Sequence, residues 1–194
     1  MPIAARAHPE QRWPHAMLRH LAGDAFALDE LESVLAQGWP HFADHSESAA
    51  ILDIVHCCRR FGRGPAASYA RAEALIAGDE TKLKVLHLFR SSTSTGVLAG
   101  PRQLLPRFLE LAEELGGEAC RAAVLCAAGR RGNDDGDLRD AHELFDEAAA
   151  LYRRLSVRDA EYEVQFRQTA QIAMSFAALV EPEAAAINKH LQTA

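Results

Sequence analysis

Residues 137–155, DLRDAHELFDEAAALYRRL, constrain the fold more than any other stretch of the chain, because they separate into two faces at one helical period. Leu138, Ala141, Phe145, Ala148, Tyr152 and Leu155 recur at alternating spacings of three and four, and Leu144 and Leu151 widen the same stripe. At about 100° per residue, Arg139, Asp140, Glu143, Asp146, Glu147, Arg153 and Arg154 fall on the opposite arc. Asp137 is placed to cap the first turn, acids crowd the N-terminal end and arginines the C-terminal end, each favoured by the helix dipole. Such a helix needs a partner surface, so the chain is expected to be built from packed helices.

Other stretches carry the same period. Residues 46–61 present Ala50, Ile51, Ile54, Val55, Cys58 and Phe61 behind an Asp44-x-x-Glu47 start that reads as a capping box. Gly62 and Gly64 end that helix, Pro65 reopens the chain, and Tyr69, Ala72 and Ile76 return as the second arm of a helical hairpin. Pro14 suits the first turn of an earlier helix, Gly116 and Gly117 close a later one, and Pro182 is expected to end the last, which carries Tyr162, Phe166, Thr169, Ala173, Phe176 and Val180. Residues 118–130 are rich in alanine and cysteine, which admits a close neighbour and places them inside the packing. No stretch alternates with period two, so essentially no sheet is expected.

Residues 122–155 resemble one tetratricopeptide repeat. The order Ala141, Phe145, Ala148, then Tyr152, is similar to that family's second helix, and Gly129 stands where its first helix carries a glycine. Gly132 departs from the pattern, which places an aromatic there. The resemblance implies stacked antiparallel helical hairpins. The expected fold is therefore all-α, a repeat-like solenoid or an irregular bundle of about nine or ten helices. It is read as one domain over residues 1–194, with a hinge or loop at residues 91–101, where SSTSTG is of low complexity.

Bulk properties exclude several classes. A hydrophobic content of 48% with 25% charged residues is that of a folded globular chain. No run of about 18 apolar residues is present to span a bilayer. The start lacks a secretory apolar core, and Cys57, Cys58, Cys120 and Cys126 read as reduced thiols, so a cytoplasmic location is expected and membrane association is not. The net charge of −6 makes nucleic acid an improbable partner. The charge is uneven, however: Arg59, Arg60, Arg63, Arg71, Lys82, Lys84 and Arg90 face only Glu73, Asp79 and Glu80 between residues 59 and 90, while residues 132–147 hold many acids and Arg139 alone.

Candidate chemistry is sparse. His41 and His45 have a two-ligand spacing, but no further ligands stand at a recognisable interval, and neighbours such as His56, Cys57 and Cys58 point in different directions on a helix. Asn133 to Asp137 lacks carboxylates at the ends of a calcium-loop register, and Ser91 to Gly96 has no lysine in phosphate-loop register. No metal site and no cofactor is expected. The leading expectation is a protein-interaction module, an adaptor, chaperone or regulatory domain, that binds a protein or peptide partner in a groove between helices, while the uneven charge could instead drive head-to-tail self-association into a homo-oligomer. The candidate partner-binding residues are Arg59, Arg60 and Arg63, whose guanidinium groups suit an acidic peptide, and Tyr152 and Tyr162 beside an apolar groove. The competing reading is a helical bundle that binds a small ligand, metal or cofactor, with an enzymatic activity built from its histidines.

Overall fold

In the computed structural model, which describes residues 9–38, 46–95 and 101–192, the apolar stripes close on one another as an all-α bundle. Among the described residues there are eight α-helices and no strand: α1 (Pro9–Ala22), α2 (Ala27–Gly38), α3 (Glu47–Phe61), α4 (Ala66–Leu75), α5 (Glu80–Thr95), α6 (Pro101–Asp134), α7 (Leu138–Arg158) and α8 (Glu163–Gln192). Packing departs from chain order at α1, which is central and meets α2, α5 and α6. Helix α4 lies on α3, α3 on α2, α2 on α1, α1 on α5 and α6, α6 on α7, and α7 on α8.

Two apolar clusters result, and α6 is their common wall. Trp13, Met17, Leu18, Ile51, Ile54, Phe89, Phe108 and Leu111 fill the first, into which α6 turns Cys120, Val124, Ala127 and Ala128. The second holds Phe145, Ala148, Leu151, Tyr152 and Ala173, and α6 turns Ala122, Leu125 and Cys126 toward it. Small side chains on all sides of residues 120–128 let helices approach from both directions, as the alanine and cysteine content implies. Polar ties reinforce the first cluster: Trp13 Nε1 and Lys82 Nζ both donate to Glu47 Oε1, joining α1, α3 and α5.

Several local signals appear as expected. Asp137 Oδ1 accepts from Asp140 N at 3.2 Å, capping α7, and Pro65 precedes the first turn of α4. Gly62, with φ of 73°, ends α3 in the left-handed conformation that glycine adopts without steric cost. Gly116 and Gly117 leave the helical region in mid-α6 (Gly117 φ 60°, ψ −148°), which divides it into arms 101–115 and 118–134.

Other boundaries differ from the sequence reading. The cap of α3 is Ser46, whose Oγ accepts from Ala49 N at 3.2 Å, while Asp44, like His41 and His45, lies outside the described residues. Pro14 stands inside α1, which begins at Pro9, and at that depth it removes a single helical hydrogen bond. Ser91 to Thr95, expected as part of a hinge or loop over residues 91–101, continue α5 instead, and residues 96–100 lie outside the described residues. Helix α7 extends to Arg158 and α8 continues past Pro182 to Gln192. Helical boundaries here are set by apolar packing upstream, which outweighs the small propensity differences of serine and threonine, below about 0.7 kcal/mol per residue.

Candidate functional site

The basic run dissolves into scaffold contacts once the helices are assembled. Arg59 Nε meets Asp29 Oδ1 at 2.7 Å and its Nη1 contacts Glu32, while His56 Nδ1 reaches Glu32 Oε1 at 2.7 Å, so this cluster joins α3 to α2. Arg71 pairs with Asp53 at 3.1 Å, Lys82 with Glu47 at 2.8 Å, Lys84 with Glu80 at 3.0 Å, and Arg90 with Glu73 at 3.0 Å. Arg60 lies over the ring of its neighbour Phe61, 5.6 Å from the centroid, and Arg63 is exposed. The three arginines therefore do not act as one cluster: Arg59 is engaged by two carboxylates, and Arg60 and Arg63 remain on the surface.

The tyrosines are brought together, though as packing. Tyr152 and Tyr162 stack with centroids 6.3 Å apart where the 3₁₀ turn Ala160–Tyr162 leads α7 into α8. Tyr152 belongs to the second cluster and burial pushes its phenol well up. Tyr162 is raised as well, by burial first and then by Asp159 and Glu161. Both phenols stay protonated at neutral pH.

Beside that turn, α7 and α8 run antiparallel, in the register set by Tyr152 with Tyr162 and by His142 Nδ1, which donates to Ala173 O at 3.1 Å. The flank they share opens to solvent as a groove of about 700 Å³. Helix α7 contributes Ala149, Ala150 and Val157, and α8 contributes Phe166, Ala170, Ala173, Met174 and Ala177. Asp146 and His142 stand toward one end, Arg153 and Arg154 toward the other. Met174 is 72% exposed and Val157 85%, large apolar side chains left uncovered beside alanines that let another backbone approach closely. The sequence stripe identified the face of α8 that meets α7, through Phe166, Thr169 and Ala173. The adjacent flank, Ala170, Met174 and Ala177, went unnoticed, although a methionine at helical spacing from alanines is its signal.

A second concavity is charged. A notch of about 360 Å³ between α6 and α7 is lined by Glu113, Glu118, Arg121, Glu147 and Arg154. Arg121 pairs with Glu147 at 2.9 Å and Arg154 with Glu118 at 2.9 Å, so most of its charge is internally compensated.

No family model, curated protein or solved structure matches the chain. The geometry alone carries the functional reading.

The buried thiols are held in their protonated form. Burial pushes the Cys120 thiol up to about 12 and raises Cys126, whose Sγ lies 3.8 Å from Thr169 Oγ1, so neither is a thiolate at neutral pH. Cys58 is buried with its Sγ 3.9 Å from Tyr69 Oη, and His56, two residues before it, is turned to Glu32 instead. Among the described residues no three histidine, cysteine or acidic side chains converge as a metal site, and no helix is long and apolar enough to cross a membrane.

Proposed function

We propose that this chain is a protein-interaction module, which takes an amphipathic helix of a partner polypeptide into the groove between α7 and α8. The observation that carries this reading is the groove itself, open, alanine-floored and flanked by exposed Met174 and Val157. Covering either side chain fully would contribute about 1.5–3 kcal/mol. The alanines favour a helical occupant, because a helix can lie close along two antiparallel helices and complete a third ridge.

A repeat-like origin for this end of the molecule is part of the proposal. The second arm of α6 and α7 form a hairpin in which Gly129 faces Phe145 and Gly132 faces Ala141; the Gly129 approach supports a likeness to a tetratricopeptide repeat, while Gly132 stands where that pattern has an aromatic. An adaptor or regulatory role in the cytoplasm fits the groove.

Selection of displayed peptides on the full chain tests the reading. Selected peptides should place apolar residues at i, i+3 or i+4 and i+7, and should lose about tenfold or more in affinity for Met174→Glu or Val157→Glu chains. Peptides that bind both variants as well as the original chain would place the site elsewhere.

A further inference from the structure

The geometry points to Gly116 and Gly117 as a hinge in α6, closed by His15 of α1 as a proton-sensitive latch. The device is independent of what the α7–α8 groove takes.

The two glycines serve the joint for different reasons. Gly117, at φ 60° and ψ −148°, holds a backbone that other residues adopt only under strain, and a β-carbon there would meet no neighbour. Gly116 has an extended φ of −160° and supplies room instead. A β-carbon on it would lie 3.0 Å from His15 Cε1, 3.2 Å from His15 Nε2 and 3.2 Å from Cys120 Cβ. The imidazole therefore fills the notch where the helix breaks, and it also bonds the backbone of Leu115, the last residue of the first arm. One side chain of α1 thus sits at the junction of the two arms.

The contact of α1 with the second arm is pinned unequally. At its far end Gly23 packs on Ala127 and Arg131, and buried Asp24 is ion-paired with Arg19 and Arg130. At the near end the fastening is an imidazole, the side chain whose charge changes closest to neutrality. Opening therefore starts at the near end, with the Asp24 end as its pivot.

Among the described residues no carboxylate is paired with His15. On α1 itself Arg12 and Arg19 stand one turn to either side, and Arg19 opposes a second positive charge. Helix α6 presents the Cys120 thiol, which burial keeps protonated. Its Glu113 lines the notch shared with α7, Glu114 is bound by Thr81 at 2.8 Å, and Glu118 by Arg154 at 2.9 Å. From α3 and α5, Glu47 and Lys82 pair with each other beside Trp13, and from α2 Glu30 is bound to Arg19 at 3.1 Å. Burial first, and Arg19 with it, outweigh the Leu115 contact and hold the ring neutral in the closed joint. Opening returns the ring to water, where it takes up a proton at its ordinary value, so acid favours the open joint.

Hydrogen exchange of the full chain tests this, read as protection factors that correct for the pH dependence of intrinsic exchange. Between about pH 7.5 and about pH 5.5, protection of residues 113–121 should fall by about threefold or more relative to residues 145–152 of the second cluster. His15→Gln, which keeps a polar side chain that does not titrate, should remove that fall. Gly116→Ala, which displaces the ring, should lower protection of the same segment already at neutral pH. Protection of residues 113–121 that is independent of pH, or a fall that persists in the His15→Gln chain, would overturn the inference. So would an equal fall in residues 145–152, because the joint would then open only with the whole fold. A Gly116→Ala chain as well protected as the original would overturn it too, since the ring would not be what closes the notch.

Discussion

Gly129 and Phe145 share one space: a β-carbon on Gly129 would lie 2.9 Å from Phe145 Cε2. Phe145 cannot yield, because its ring is 2% exposed and stacked on Phe176 at 5.5 Å and 6°. Gly129→Ala should therefore destabilise the chain by about 1–3 kcal/mol in denaturant titration, although alanine in an open helix would stabilise by about 1 kcal/mol. Phe145→Ala should cost about 3–5 kcal/mol, and Glu143→Ala, exposed on the opposite face, should change stability by less than about 0.5 kcal/mol. Equal losses from Phe145 and Glu143 would mean that α7 packs by its other face.

Asp24 ties the α1–α2 turn to α6. It is 3% exposed at the α1–α2 turn, where Oδ2 accepts from Arg19 Nε at 3.0 Å and from Arg130 on α6 at 3.4 Å, and Oδ1 from Phe26 N at 3.1 Å. Asp24→Ala removes a buried acceptor of several hydrogen bonds, but Arg19 keeps Glu30 at 3.1 Å and Arg130 is largely exposed, so the substitution should cost about 1–3 kcal/mol. A loss comparable to that of a surface pair would show that Arg19 finds water instead.

Stability should fall in acid through His15 and His20. Burial lowers the pKa of both below 6.5, against the opposing backbone contacts with Leu115 and Asp24. The unfolded chain then binds protons first as pH falls, so this contribution is complete above about 6.5 and is lost as pH drops through the folded values. Comparison of midpoints at neutral and mildly acidic pH should show a smaller acid loss in His15→Gln and His20→Gln chains. An unchanged pH slope in both would remove the histidines as the cause.

The legible parts of this fold are those with local causes. The Asp137 cap, the Gly62 terminus, the division of α6 at Gly116 and Gly117, and the buried Ala/Cys helix each follow from residues within a turn or two of one another. The fate of Arg59 does not, because its partners Asp29 and Glu32 stand on another helix. The low complexity of Ser91 to Thr95 and the proline at 182 marked stops that the helices pass, since packing of Val85, Leu86 and Phe89 secures α5 before the serines begin. The groove was least legible, because it depends on the register of α7 against α8, and no repeating pattern in either helix alone encodes that.

Arg59→Glu would place a third acid beside Asp29 and Glu32 and should lower the unfolding midpoint. The exposed pairs it breaks are worth at most about 1 kcal/mol each, to which repulsion adds a similar amount. Arg60→Glu with Arg63→Glu should leave the midpoint nearly unchanged. If that double reversal instead abolished capture of a selected peptide, the basic end would be the binding surface and the α7–α8 groove would not.

The groove has a reporter and the interior a control, since the methionines are Met1, Met17 and Met174, and Met17 is fully buried in the first cluster while Met174 lines the groove. The most direct measurement is the methyl spectrum of the methionine-labelled chain as a selected helical peptide is added. Occupation of the groove predicts that the Met174 methyl resonance moves to saturation with the bound fraction while that of Met17 stays in place. A bound peptide that leaves Met174 unmoved would contradict the account.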